Sequence, residues 1–356
     1  MKLCKTLFVL VFCFSLGCVL YAQRETGSIR GTVVDEEGGR LPGVAITATS
    51  PALQGTASVV STATGEFRMP ALPPGTYAIT AQLQGFKTLK REGIIVHVGM
   101  NVEVVINMDT SALAEEVTVT AASPIVDVVS SKLTQIITSD AIQHLPVARS
   151  VWSLAMLAPG IVAPVLTTSS AMIAHGSPSD QNSFKVDGVS MNDTSYNTPG
   201  TNITFDIMEE IELITGGLPA EIGTTSGVFV NVVTKSGGNR FSGEGLVNYT
   251  NEDLLNVVFP DTQLKAMGLG KPVAPIYRVD GTANFGGPIF KDKLWFFTSF
   301  NWQKNKTYSG FRPITWMGKS YKDFNNSNRL WKGFFKLTGQ VSPSLKLQGM
   351  FHYTDS

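Results

Sequence analysis

Cysteine is almost absent from this 356-residue sequence, and its distribution is uneven. The three cysteines, Cys4, Cys13 and Cys18, all lie near the start of the chain. Residues 19–356 therefore contain no thiol for a disulfide, a catalytic cysteine or a zinc site with cysteine ligands. This long segment must be held together by sheet pairing and by burial of apolar side chains alone.

Charged residues are also scarce, at 16% of the chain, and the formal net charge is zero. A nucleic-acid-binding protein would carry a clustered basic surface, so the sequence does not support that class. The four histidines do not have the HExxH or HxxE spacing of a zinc hydrolase. We therefore predict no enzyme activity, no catalytic residue, no cofactor and no metal site. Low charge, 34 glycines and dispersed aromatic residues favour an all-β or outer-membrane protein.

A single long apolar run, Leu7 to Leu20, lies close to the first residue. Lys2 and Lys5 precede this run and the small residue Ala22 follows it, which predicts a secretory signal peptide over residues 1–22. A membrane anchor is the alternative. However, the run is shorter than the ~20 residues that are needed to span a bilayer.

Residues 23–108 alternate apolar and polar side chains in short runs, which are separated by turn sequences such as DEEGGRLPG, TATGE and PPGT. Alternation of this kind predicts strands with one buried face, and the glycine- and proline-containing clusters predict turns. The segment should form about seven short strands in two packed sheets. The residues expected to face the core are Ile29, Gly31, Val33, Val44, Ile46, Ala48, Tyr77, Ile79, Ala81, Leu83, Val102, Val104, Ile106 and Met108.

A short β-prone run, Val117 to Ala121, lies in the link formed by residues 109–122. The run follows two glutamates, and the turn rhythm of the neighbouring segments offers it no pairing partner. A strand with unpaired N–H and C=O groups can be added to the sheet edge of another protein. The alternative is a linker that pairs locally, and the residue types alone favour this alternative.

Residues 123–238 mix helical and strand patterns, and they are too polar and irregular to form a membrane wall. The stretch SVWSLAMLAPGI, residues 150–161, predicts a helix that ends at its Pro-Gly pair. The stretch FKVDGVSMND predicts a strand, a turn at Asp187-Gly188 and a second strand. We expect a compact α/β domain.

The final segment, residues 239–356, contains about five runs of period-two alternation. In YRVDGTANFGG, for example, Val279, Ala283 and Phe285 point to one side, and polar residues point to the other. The runs have the ~9–11 residues that a tilted strand needs to cross a bilayer, and they predict the start of an antiparallel transmembrane β-barrel. Long and short connections alternate: residues 250–276 and 303–331 are long, and residues 286–293 and 342–344 are short.

Several of these motifs together resemble a known family. The stretch GTVVDEEGGRLPGVAITAT, followed by TATGEFRMPALPPGTYAITAQLQGFK, is similar to the carboxypeptidase regulatory-like domain. LAPGI, FKVDGV, MEEIELITGGLPAEIG, GVFVNVVTKSGGNRFSG and FGGPIFKDKLWFF follow in an order that resembles a TonB-dependent outer-membrane receptor of the Oar-like group. The resemblance implies a multidomain fold: an all-β transthyretin-like sandwich, then an α/β plug, then the first strands of an incomplete antiparallel transmembrane β-barrel.

In that family, a short motif before the plug is bound by the energy-coupling protein TonB, which adds a strand to it. The resemblance implies active import across the outer membrane of a ligand such as an oligosaccharide, a peptide or a metal chelate. The alternative is a surface adhesion or secretion-associated barrel protein without active import. The residues that the resemblance assigns to the TonB box are Glu116, Val117, Thr118, Val119, Thr120 and Ala121.

The long loops carry aromatic side chains that suit stacking on sugars or peptides. The expected partners are TonB, outer-membrane lipid and an unidentified extracellular ligand, without nucleic acid, and the sandwich is expected in the periplasm. Barrels of this family have about 22 strands, so we expect the sequence to be a fragment, because open sheet edges are not satisfied in hydrocarbon. The residues expected to contact the ligand are Phe311, Trp316, Tyr321, Phe324 and Trp331.

Overall fold

The structure is a computed structural model of the chain. The predicted signal peptide lies outside the residues that it describes. No helix within the described ranges is long and apolar enough to cross a membrane. The described residues are 26–53, 55–110, 116–119, 132–145, 147, 149–162, 172–193, 203–219, 222–223, 225–254, 275–308, 315–316, 319–320, 325–342 and 345–355.

The first domain is a sandwich of two β-sheets. Its strands are β1 (Gly27–Asp35), β2 (Ala45–Thr49), β3 (Ala57–Val60), β4 (Glu66–Leu72), β5 (Gly75–Gln82), β6 (Thr88–Val96) and β7 (Asn101–Met108). One sheet has the order β4-β1-β7, and the other contains β3-β2-β5-β6. The sandwich predicted from the alternating pattern is therefore confirmed.

The alternating rows of the two sheets meet in one apolar core. In β7, Val102, Val104, Ile106 and Met108 are buried, and the residues that alternate with them, including Val105, are exposed. The predicted core residues are buried, apart from Leu83, which packs against the same core while partly exposed. β1 and β7 run parallel and approach closely, since a Cβ on Gly31 would lie 1.8 Å from the Val104 carbonyl oxygen. A larger residue at Gly31 would push these two strands apart.

A further strand, β8 (Glu116–Val119), extends the second sheet of the sandwich. It pairs in parallel with β6, with Thr88 opposite Glu116 and Arg91 opposite Val119. The expectation that this run has no partner in a neighbouring segment is therefore wrong. A parallel pair is joined by a long crossover rather than a hairpin turn, so no short-range signal in the sequence indicates it.

The second domain combines short strands and two short helices around a five-stranded sheet. Its elements are β9 (Leu133–Thr138), α1 (Ser139–His144), α2 (Val151–Ala155), β10 (Ile161–Val162), β11 (Ile173–Ala174), β12 (Ser183–Val186), β13 (Val189–Ser190), β14 (Met208–Gly216) and β15 (Phe229–Thr234), with 3-10 turns at Ser179–Gln181 and Phe205–Ile207. The sheet order is β13-β12-β15-β14-β9, and β10 pairs with β11. The predicted α/β character of this domain, which we call the plug after the resemblance noted above, is confirmed.

Two local predictions for this domain have different outcomes. The helix expected over residues 150–161 is shorter, since α2 ends at Ala155 and the chain continues in turns in which the Leu157 and Ala158 N–H groups bond three residues back. The predicted turn between β12 and β13 is present. It has positive φ at both Asp187 and Gly188, as a type I′ hairpin requires.

The third domain is an open antiparallel sheet, which we call the wall. Its order is β16-β17-β18-β21-β22, and a separate short hairpin joins β19 to β20. The predicted start of a β-barrel is thereby confirmed. The strands are β16 (Ser242–Asn251), β17 (Pro275–Phe290), β18 (Leu294–Tyr308), β19 (Thr315–Trp316), β20 (Lys319–Ser320), β21 (Asn325–Ser342) and β22 (Leu345–Asp355).

The wall strands are longer than the sequence pattern predicts. Only residues 291–293 separate β17 from β18, so most of the turn expected over residues 286–293 is strand. Gly287 lies in β17 rather than in a turn, and it allows close packing, since a Cβ there would lie 2.1 Å from the Phe241 ring. Much of the loop expected over residues 303–331 is strand as well, since β18 ends and β21 begins inside it.

Polar and apolar residues of the wall separate onto two faces. Phe285 and Phe300 are 47% and 51% exposed on the outer row, whereas Asp280 and Asn301 are 3% and 1% exposed on the inner row. A transmembrane barrel carries apolar residues toward lipid and polar residues toward its interior. The outer row is thus the surface expected to face lipid, and the inner row is buried against the second domain.

An arginine on the outer row should destabilise the full-length protein far more than one on the inner row. Val247 and Asn248 are successive residues of β16; Val247 is exposed on the outer row, and Asn248 lies opposite Asp280 on the inner row. Val247→Arg should lower the free energy of unfolding by about 2–4 kcal/mol near the bilayer midplane. Asn248→Arg should have little effect on stability, because the new arginine would enter a polar interior close to the Asp280 carboxylate. Urea unfolding in lipid vesicles measures the free energy of unfolding of both variants. Equal losses of stability would contradict the assignment of the two faces.

Candidate functional site

The 3-10 turn Phe205–Ile207 places Asp206 of the plug against the inner row of the wall. The Asp206 carboxylate binds the Arg149 guanidinium and accepts a hydrogen bond from the Thr282 hydroxyl at 2.5 Å. The Asn284 side-chain amide donates to the Asp206 carbonyl oxygen at 3.4 Å. Asp206 therefore joins an arginine of its own domain to two residues of β17.

A second buried carboxylate, Asp280 of β17, lies beside the first. Asn301 donates to its Oδ1 at 2.6 Å, and Gln303 donates to its Oδ2 at 3.2 Å. Arg149 Nε lies 3.6 Å from Asp280 Oδ2, so one guanidinium faces two carboxylates. Buried charges are tolerated when they are paired and hydrogen-bonded in this way. We call Arg149, Asp206, Asp280 and their hydrogen-bond donors the Asp206–Asp280 network.

The turn at Asp187 makes a separate anchor between the plug and the wall. Lys336 Nζ of β21 lies 2.9 Å from Asp187 Oδ2 and donates to the Thr234 carbonyl oxygen at 3.2 Å. The Asp187 Oδ1 atom also accepts the Thr234 N–H at 2.9 Å. Both charged side chains are almost completely buried, so removing either would leave an uncompensated charge.

The glycine-rich join between the plug and the wall is held by close backbone contacts. A Cβ on Gly237 would lie 2.1 Å from the Phe296 carbonyl oxygen, so only glycine fits there. Asn239 Oδ1 accepts hydrogen bonds from the Asp292 N–H at 3.0 Å and from Trp295 Nε1 at 2.8 Å. These contacts bring the KSGGNRF and FKDKLWFF motifs together.

The loop after β6 docks the sandwich onto the plug. The buried Glu210 carboxylate of β14 accepts a hydrogen bond from the Val98 N–H at 3.1 Å and lies 3.4 Å from His97 Nδ1. Gly99 packs against Glu212, where a Cβ would lie 2.9 Å from the carboxylate oxygen. The hydrogen bond to Glu210 raises the pKa of His97, and burial raises the pKa of Glu212.

The docking of the sandwich should weaken as the pH rises. The pKa of His97 is raised above its ordinary value of 6.5, so its contribution is complete below that value and is lost as the pH rises through the raised pKa. His97→Gln keeps a hydrogen-bond donor that does not titrate. Compared with this variant, the wild-type sandwich should be more stable by about 1 kcal/mol at acidic pH, and the difference should vanish in alkaline buffer.

Thermal unfolding of the full-length protein across a pH series measures this difference. The buried Glu212 titrates in both proteins, so its effect cancels in the comparison. A difference between the two proteins that is constant with pH would show that His97 does not contribute through its charge.

The structure places four of the six predicted TonB-box residues. Residues 116–119 form β8 at the end of the second sheet of the sandwich, whereas Thr120 and Ala121 lie outside the described residues. The following described element of the chain is β9, the edge strand of the plug sheet. Along the chain, the predicted box therefore lies between β7 of the sandwich and β9, the first strand of the plug.

The predicted ligand-contact residues are mostly outside the described part of the chain. Trp316 lies in the short strand β19. The Trp331 ring lies 5.4 Å from that of Phe300, which belongs to the outer row, and 5.9 Å from that of Trp302. This position favours an aromatic residue of the membrane interface over a ligand contact. The residues outside the described ranges are Phe311, Tyr321 and Phe324.

A cavity of about 60 Å³ lies between the plug and β21. Small-molecule sites typically enclose ~300–1,000 Å³, so this cavity is too small to be a ligand site by itself. Within the described ranges, no group of three or more His, Cys, Asp or Glu side chains is placed to hold a metal ion. Arg149, Trp152, Phe184, Met191 and Lys332 contribute to the cavity lining.

Comparison with known proteins gives a family description for each of the three domains. Residues 28–109 match the carboxypeptidase regulatory-like domain, residues 128–228 match the TonB-dependent receptor plug domain, and residues 233–315 match an outer membrane β-barrel domain. The chain therefore belongs to the TonB-dependent receptors of the bacterial outer membrane, and the resemblance seen in its motifs is confirmed.

Within this class, the chain is similar to the TonB-dependent transporter Oar of Myxococcus xanthus. The two are 33% identical over 333 residues, which cover 86% of this chain and 30% of Oar. The chain thus spans about a third of the length of this relative.

Two solved structures show partial similarity. The siderophore receptor PirA from Pseudomonas aeruginosa is 18% identical with a TM-score of 0.44, and the match covers 66% of this chain and 34% of PirA. The outer membrane transporter YddB from Escherichia coli is 15% identical with a TM-score of 0.48, and the match covers 62% of this chain and 32% of YddB.

Proposed function

We propose that the full-length protein actively imports a ligand across the outer membrane, and that TonB drives import by pulling on residues 116–121. The observation that carries this proposal is the attachment of the plug to the inner row of the wall. The Asp206–Asp280 network and the buried Asp187–Lys336 pair both hold it there. A plug held by buried charges opposes passive diffusion, so opening requires work.

The order of the strands indicates which part of the plug a pull on the box would reach first. β9 is the edge strand of the plug sheet and pairs with β14 along its length. A pull on the chain before Leu133 would act first on β9. Among the described strands, β9 would have to separate only from β14. Removing β9 would uncover β14, the strand that carries Glu210 and Glu212. Force on the proposed box would therefore begin to open the plug at this edge of its sheet.

The proposal extends to the partners of the protein. These are TonB, the lipid around the wall, and an extracellular ligand that is an oligosaccharide, a peptide or a metal chelate. The description of Oar as a TonB-dependent transporter supports the energised mechanism. We assign no catalytic role, since the family consists of transporters. Phe311, Trp316, Tyr321 and Phe324 remain the proposed ligand contacts.

The proposal also includes the limits of the domains. It places the signal peptide before a periplasmic sandwich, followed by the link that carries the box, the plug and the barrel. The proposed limits are residues 1–22, 23–108, 109–122, 123–238 and 239–356 for these five parts.

Uptake by cells that carry the full-length receptor tests the proposal. A panel of labelled ferric chelates, oligosaccharides and peptides is offered to cells with and without the receptor, in the presence and absence of an uncoupler. We expect one class to accumulate only in cells that have both the receptor and a proton gradient. Surface binding without gradient-dependent accumulation for every class would instead support the alternative of adhesion or secretion.

A further inference from the structure

The placement of β8 leaves one side of the proposed box open. β8 is the terminal strand of the sheet with the order β3-β2-β5-β6-β8. β6 adjoins one of its edges, and among the described residues no strand adjoins the other. Residues 116–119 of the proposed TonB-binding segment are therefore extended, and no described strand occupies their second edge.

The chain is also fixed on the way to this strand. The Lys87 N–H donates to the Asp109 carbonyl oxygen at 2.9 Å, and Phe86 forms an isolated β-bridge with Thr110. The link thus leaves β7 beside the two residues that precede β6, and β8 then runs along β6 in parallel register. The start of the link and the described part of the box are therefore held against successive parts of the same segment of the sandwich.

A strand held in this way can pair on both sides. The N–H and C=O groups of one residue in a strand point to one edge, and those of the next residue point to the opposite edge. Pairing with β6 therefore uses alternate residues of β8 and leaves the groups of the others pointing outward. An unpaired edge of this kind is a template for a strand from another protein.

We propose that the sandwich presents residues 116–119 as a preformed edge, to which TonB adds a strand without first separating β8 from β6. This inference rests on the proposed function. Binding to a segment that is already extended avoids the entropy loss of ordering it, which favours association. The subsequent pull, rather than the binding step, then separates β8 from β6.

A disulfide between the two strands tests this order of events. Lys90 and Thr118 are Cα partners in the parallel ladder, and neighbouring strands have the spacing that a disulfide requires. Residues 19–356 contain no other cysteine that could compete. The double variant Lys90→Cys/Thr118→Cys is made in the full-length receptor, from which any cysteine beyond residue 356 is removed. Binding of the purified periplasmic domain of TonB is then measured with the disulfide oxidised and reduced.

We expect the oxidised receptor to bind TonB with the same affinity as the reduced receptor, within about twofold, or more tightly. A loss of about tenfold or more on oxidation, restored by reductant, would show that β8 must leave β6 before TonB binds, and would overturn the inference. The matched control is Thr47→Cys/Ser58→Cys, a Cα pair between β2 and β3 of the same sheet. Its oxidation should leave binding unchanged.

Two further results separate this inference from the proposed function. Failure of the Lys90/Thr118 pair to form a disulfide, while the control pair forms one, would overturn the inference alone. Absence of TonB binding to the reduced receptor, the control and the wild type would overturn the proposed function and the inference with it.

Discussion

Replacement of Val119 by proline in the full-length receptor should abolish energy-dependent accumulation of the ligand while leaving ligand binding at the cell surface intact. Val119 is the last residue of β8, within the proposed TonB box. Strand addition depends on backbone N–H and C=O groups, and proline removes a donor and fixes φ. The ligand site belongs to the extracellular side of the receptor in this account, so surface binding should not change.

Val119→Ala is the matched control, because it keeps the backbone N–H and removes only side-chain atoms. It should accumulate ligand nearly as well as the wild type. Both variants are compared by surface binding at low temperature and by accumulation with the proton gradient intact, using the member of the ligand panel that wild-type cells take up. Normal accumulation by Val119→Pro would mean that residues 116–121 are only a linker.

Removal of the Arg149 guanidinium should loosen the plug. Arg149 is the cation that faces both Asp206 and Asp280, and both carboxylates are largely buried. Breaking a buried ion pair by deleting one partner typically costs ~3–5 kcal/mol, because the remaining charge is left uncompensated. Arg278 remains 3.8 Å from Asp280 Oδ2, so it is the Asp206 carboxylate that loses its cation. Arg149→Met should therefore lower the free energy of plug unfolding by about 3 kcal/mol, the lower end of this range. The urea dependence of labelling of a single cysteine introduced at the buried Ala155 measures it.

Two further variants of the full-length receptor control this result. Arg149→Lys keeps the charge but loses the planar fork of donors, so its effect should be intermediate. Arg240→Met removes an exposed arginine elsewhere in the chain and should be close to neutral. Equal labelling profiles for Arg149→Met and Arg240→Met would show that the Asp206–Asp280 network does not hold the plug.

Side-chain alternation reveals much of the fold because the wall and the sandwich each bury one face of their strands. The rows of β7 and β17 are visible in the sequence for this reason. The ends of the strands are less visible. After Trp302, β18 continues through the polar stretch QKNKTY, where period-two contrast disappears, although the ladder to β21 continues to Tyr308. Alternation therefore marks the apolar part of a strand rather than its full length.

The candidate site is harder to predict, because its contacts join distant segments. Asp187 and Asp206 lie in turns, where a carboxylate is usually solvated, yet each is matched to wall residues from a later part of the chain. Glu210 resembles a surface residue of an alternating strand, but a loop of the sandwich covers it. β8 is recognised as β-prone from its residue types, whereas its parallel partner is not. Such pairings follow from the packing of whole domains.

Disulfide trapping of TonB on the proposed box tests the central claim most directly. Single cysteines are introduced at each of residues 116–121 of the full-length receptor, in cells whose TonB carries one cysteine in its periplasmic domain. The account predicts covalent receptor–TonB products at positions in this segment, and none with the control Ser58→Cys on β3 of the same sheet. Absence of product at all six positions, or equal product from Ser58→Cys, would contradict the claim that TonB acts on this receptor through residues 116–121.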